Sequence, residues 1–230
     1  MKAIHLGAFW VGALAFLTFV GGVAAQTTSS AVLNSLEVQE LIKRAEPADH
    51  ARLEVHFAVL AEQYAADAKR HSAMAQAFTA SPIRRTAANT AADHCKRLEQ
   101  LNLQSAATLR ELAAHHERLA AGKASAAPRG AARFEGGVGA PAATTKELTA
   151  LAAKASTPAD HRALEEYFLT LAKRYAADAD GHVAMVQAYR ATRIAQAAAH
   201  CDRLVALSRD EAKEATDAAA MHQQLAGVAR

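Results

Sequence analysis

The stretch PADHARLEVHFAVLAEQYAADAKRHSAMAQAF, residues 47–78, recurs as PADHRALEEYFLTLAKRYAADADGHVAMVQAY, residues 158–189, with more than half of the positions identical. A second block follows each copy: HCKRL beginning at His94 is matched by HCDRL beginning at His200, and His116 by His222. The chain is an internal duplication, and a repeat of this length is a supersecondary unit that needs a neighbour to bury its apolar face. In the first copy His50, Leu53, Phe57, Leu60, Tyr64, Asp67, His71, Met74 and Phe78 follow in alternating steps of three and four. The second copy repeats this with His161, Leu164, Phe168, Leu171, Tyr175, Asp178, His182, Met185 and Tyr189. That is the seam of a helix packed on other helices, and it carries polar side chains inward.

Thr157, Pro158 and Asp160 read as a helix start: a hydroxyl cap, a proline in the first turn and an acid at the positive end of the dipole. Pro82 breaks the first copy and residues 191–193 turn the second, so each copy is a helical hairpin. A short amphipathic helix precedes each, carrying Val38, Leu41 and Ile42 or Leu148 and Leu151. The spacing therefore predicts an all-α chain, a four-helix bundle of two duplicated helical hairpins. Its parts are a first repeat over 31–120, an Ala/Gly/Pro-rich linker over 121–145 with Gly136, Gly137, Gly139 and Pro141, and a second repeat over 146–228.

Composition agrees. Of 230 residues, 51% are hydrophobic and only 5% aromatic, with 11 Gly and 5 Pro, which suits helices better than a β-sandwich. The net charge of +3 is small, and basic residues alternate with acids rather than clustering with aromatics, so nucleic acid is not an expected partner. Two cysteines make no disulfide scaffold, and without CxxC or CxxCH spacing neither a zinc ribbon nor covalently attached haem is expected.

Residues 1–25 combine Lys2, an apolar stretch from Ala8 to Val20, and small residues up to Ala25, the pattern of a secretory signal peptide. No second apolar stretch of that kind follows. The expected mature chain is periplasmic or secreted, with no stable membrane span after signal cleavage, in a compartment where thiols can oxidise.

Eight of the eleven histidines and both cysteines form matched pairs between the copies. In an antiparallel hairpin, residues at one height have a constant sum of numbers. The sum for His71 and Cys95 equals that for His50 and His116, and the sum for His182 and Cys201 equals that for His161 and His222. Each hairpin thus has a His–Cys height and a His–His height, about 31 Å apart along the helices. With both turns at one end, a core layer would collect His71, His182, Cys95, Cys201, His94, His200, Met74, Met185, Asp67 and Asp178, supported by Tyr64 and Tyr175. A linker of this length also permits opposed hairpins, which would split that layer.

Imidazole, thiolate and thioether donors together favour copper or zinc, with Asp67 and Asp178 placed to orient His71 and His182 one turn on. His50, His116, His161 and His222 form a second candidate layer. The expectation is a metal carrier, storage or sensing protein. Two alternatives stay open: a structural or interaction bundle clamped by a Cys95–Cys201 disulfide, and a haem b electron-transfer bundle. Phosphate loops, nucleophile elbows and HExxH helices are missing from the sequence, so enzymatic readings find little support.

Overall fold

The computed structural model describes residues 32–80, 85–122, 143–192 and 194–228, all within a unit spanning 31–230. The signal-like segment, Pro82 and most of the linker lie outside the described residues. Six helices account for the described secondary structure: α1 (Ser35–Arg44), α2 (Pro47–Ala80), α3 (Arg85–Ala121), α4 (Thr145–Lys154), α5 (Pro158–Arg190) and α6 (Ala195–Val228). The chain is all-helical, with no strand among the described residues. None of the described helices is long and apolar enough to cross a membrane.

Local chemistry sets the helix starts. The Thr157 hydroxyl accepts from the Asp160 amide at 3.1 Å while the Asp160 carboxylate accepts from the Thr157 amide at 3.1 Å, a reciprocal cap with Pro158 in the first turn. Asn34 with Glu37, and Thr144 with Glu147, cap α1 and α4 in the same way. Such a cap contributes about 1 kcal/mol, enough to set where a ten-residue helix begins. Ala45 ends α1 at φ 54, and its amide bonds back to the Leu41 carbonyl.

The seam read from the sequence is the buried one. Every residue in the two runs of nine is buried except Leu60 and Asp178, which are partly buried. Phe57, Leu53, Phe168 and Leu164 are fully enclosed, each contributing about 1.5–3 kcal/mol by leaving water. On α6 the matching positions are small, with Ala215, Ala218 and Ala219 buried, so large rings fit against flat helix surface. α1 buries Val38, Leu41 and Ile42, and α4 buries Leu148 and Ala152.

α2 packs along α3 and α5 along α6, while α3 packs along α6. The short helices cross over: α1 lies on α5 as well as α2, and α4 lies mainly on α2. Directions follow from side-chain contacts. Tyr64 meets Asp178 and Asp67 meets Arg174, so α2 and α5 run antiparallel. His94 meets Glu214 and Glu111 meets His200, so α3 and α6 also run antiparallel. The α2–α3 and α5–α6 turns consequently lie at opposite ends. The single layer expected from turns at one end is replaced by the opposed arrangement.

Candidate functional site

Opposed turns separate the proposed ligands. His182 is level with about residue 59 of α2, placing it roughly 18 Å along the axis from His71. Cys201 is level with about residue 110 of α3, roughly 22 Å from Cys95. Both cysteines are free and buried, and no Cys95–Cys201 disulfide forms. Burial pushes each thiol up to about 12, so neither is a thiolate at neutral pH. His94 and His200 leave the core for the α3–α6 interface, where His94 Nδ1 lies 2.6 Å from Glu214 Oε1 and His200 Nδ1 lies 3.4 Å from Glu111 Oε2. Among the described residues no group of three or more His, Cys, Asp or Glu side chains gathers around one metal position.

The second layer behaves differently. His50 Nδ1 lies 3.1 Å from His116 Nδ1, and His161 Nδ1 lies 3.2 Å from His222 Nδ1. The equal-sum register found in the sequence therefore holds at both His–His heights. His116 Nε2 continues to the Tyr189 hydroxyl at 2.7 Å. At the other end Phe78 occupies the position corresponding to Tyr189, with its ring 5.8 Å from His222 as Tyr189 is 5.8 Å from His116. Lacking a hydroxyl there, His222 Nε2 is buried without a partner. Burial lowers His116 and His222 to about 3, and the neighbouring imidazole of each pair adds to the shift. Both rings are neutral at pH 7. They are core residues, not the dipole-stabilised cations that their nearness to helix C-termini would favour.

A polar belt crosses the middle. Tyr64 donates to Asp178 Oδ2 at 2.9 Å; Asp67 takes Arg70 and Arg174, each at 2.6 Å. The Tyr175 hydroxyl exchanges hydrogen bonds with the Asn102 amide at 3.0 and 3.1 Å, and Ser105 donates to Glu211 Oε1 at 2.9 Å. Glu211 is enclosed, and burial pushes its carboxyl up to about 8, so it is protonated at neutral pH. Sequence reading missed Arg174, Asn102, Ser105 and Glu211. A signal for the last existed: Ser105 and Glu211 are matched positions on seams that include Cys95, Leu98, Asn102 and Leu109, or Cys201, Leu204, Ser208 and Ala215.

Tyr64, Asp67, Asp178, His182 and Met185 do converge, with Arg174 and His56, on a cavity of about 350 Å³ between α1, α2 and α5. His56 is buried where α1 and its preceding backbone meet α2, and its Nδ1 accepts from the Leu33 amide at 3.1 Å. His71 lies in the corresponding half beside Tyr167, their ring centroids 6.4 Å apart, and Met74 is buried one turn further along α2. Both His71 ring nitrogens are buried without partners. Burial lowers His56, His71 and His182 to about 4. No family model, curated protein or solved structure matches this chain.

Proposed function

We propose that the chain is an exported, non-catalytic metal-binding protein, a four-helix bundle of two duplicated hairpins that takes zinc or copper at its paired histidines. The observation that carries this is the twice-repeated meeting of buried Nδ1 atoms, His50 with His116 at 3.1 Å and His161 with His222 at 3.2 Å. Two imidazole nitrogens on one tetrahedral zinc stand about 3.3 Å apart, given Zn–N bonds near 2.0–2.1 Å. Each pair needs an opening of only a few tenths of an ångström to span that edge.

Without metal, one ring of each pair donates from Nδ1 and the other accepts. Metal binding moves the donor's proton to its own Nε2, leaving two neutral ligands and releasing none. His50 and His161 retain slight exposure, giving an approach from the surface. The remaining coordination positions fall to solvent or an incoming group, which suits carriage or delivery better than a closed structural site. Haem is disfavoured because its axial nitrogens face each other across a porphyrin, whereas these nitrogens are in contact. Export rests on the apolar segment before Gln26.

Equilibrium dialysis of the mature chain against zinc or copper(II) tests the reading. The expected stoichiometry is two ions per chain, falling to one in His50→Ala or His161→Ala and to none in the double variant. Stoichiometry unchanged in the double variant, or no binding by the wild type at micromolar metal, overturns it.

A further inference from the structure

The cavity between α1, α2 and α5 has a counterpart position in the other half, and the two halves treat it differently. Gly181 on α5 corresponds to Arg70 on α2, and His56 corresponds to Tyr167. On the α2 side the Arg70 guanidinium bonds Asp67 Oδ1 at 2.6 Å and reaches Thr145 Oγ1 at 3.4 Å. On the α5 side Gly181 has no side chain, and a Cβ added there would meet nothing within 4 Å. Packing does not demand glycine at this position. The cavity of about 350 Å³ opens there.

Its charges are unequally matched. Asp67 is held by both Arg70 and Arg174, and Arg174 is further engaged by stacking 4.6 Å over the Tyr175 ring. Asp178, the counterpart of Asp67, accepts the neutral Tyr64 hydroxyl and has no equivalent of Arg70; Arg174 acts on it only through space, its guanidinium being ion-paired to Asp67. His182, 3% exposed, lines the same cavity with Nδ1 buried and unpartnered. The rest of the wall includes the Asp67–Arg174 ion pair and, on its apolar side, Leu33, Val38, Leu60 and Met185.

We infer that this cavity is a binding site for a small organic cation, an ammonium or guanidinium head on an apolar body, seated against Asp178 where the other half places its own Arg70 guanidinium. The apolar body packs on Leu33, Val38, Leu60 and Met185, and His182 Nδ1 supplies a second polar contact. A volume near the lower end for ligand pockets suits about ten heavy atoms. A charge-assisted hydrogen bond to one carboxylate orients the head.

The test is titration of the mature chain with benzamidine and 2-phenylethylamine, with benzoate as the anionic control, by calorimetry in the presence of a chelator. The chelator keeps it independent of the histidine pairs, so either proposal can fail alone. The expected Kd for the cations is about 1 mM or tighter, with benzoate silent. Gly181→Arg, which recreates the filled half, abolishes binding and raises Tm. Asp178→Asn, which keeps a hydrogen-bond acceptor for Tyr64, weakens binding at least about tenfold. Equal binding of benzoate, undiminished binding in Asp178→Asn or in folded Gly181→Arg, or no response to either cation overturns the inference.

Discussion

The two ends of the molecule hold the same imidazole pair and differ in what stands behind it. At one end His116 passes a hydrogen bond on to Tyr189; at the other, Phe78 presents the same ring at the same distance with nothing to bond. His222 Nε2 is left without a partner, a deficit that costs about 1–3 kcal/mol relative to a satisfied group. The lesson is that the duplication has kept the paired Nδ1 atoms at both ends and let the support behind them diverge. The same contrast recurs at the cavity, where Arg70 fills one half and Gly181 opens the other.

Acid should break both ends at once, and this is the largest effect expected. His56, His71 and His182 are lowered to about 4, and His116 and His222 to about 3, all by burial. Below the ordinary histidine value near 6.5 the unfolded chain binds protons that the folded chain refuses, so stability falls with falling pH until the folded values are reached. Each of these groups loses about 1.4 kcal/mol per pH unit through that window. Glu211 and Asp178, raised by burial, act with the opposite sign above the ordinary carboxylate range, but two groups do not offset five. Cooperative loss of helical circular dichroism is expected between pH 6 and 4.5; a chain equally stable at pH 4 and pH 7 would contradict these burial assignments.

Truncation comes next and separates the ends. His116→Ala removes two hydrogen bonds and a buried ring, costing about 3–4 kcal/mol in urea denaturation at pH 7.5. His222→Ala removes one bond and also relieves an unsatisfied nitrogen, so its cost should be about 1 kcal/mol smaller. Equal losses would erase the distinction between the ends.

The smallest and sharpest change exchanges the single oxygen. Tyr189→Phe should lose about 1–2 kcal/mol by orphaning His116 Nε2, whereas Phe78→Tyr should gain about 1 kcal/mol by giving His222 Nε2 a partner. In metal titrations the same exchange should reverse the order of the two sites, the His50–His116 site being tighter in the wild type. Two sites of unchanged order in the double exchange would break the link between support and affinity.

Much of this was legible before any coordinates. The three-and-four spacing identified the buried seam, and the Thr157 cap marked the start of α5. The equal sums of 50 with 116 and 161 with 222 correctly paired residues more than sixty positions apart. What could not be read was the relation between hairpins. The segment over 121–145 is long enough to join them in either sense, and the meetings of Tyr64 with Asp178, Asp67 with Arg174 and His94 with Glu214 decide it. That one choice separates His71 from His182 and Cys95 from Cys201. His56, without a histidine counterpart, reads from the sequence as a surface or interface residue, and its burial depends on the backbone before α1 folding over it; the meaning of Gly181 depends on α1 lying across α5.

The most direct test of the paired-imidazole claim is proton–nitrogen correlation NMR of the histidine rings during zinc titration at pH 7.5. The expected result is that Nδ1 of His50, His116, His161 and His222 all move to metal-bound positions as two equivalents are added, each ring becoming the Nε2–H tautomer while His71 and His182 stay put. Four Nδ1 signals that hold their hydrogen-bonded positions while zinc binds elsewhere would contradict it.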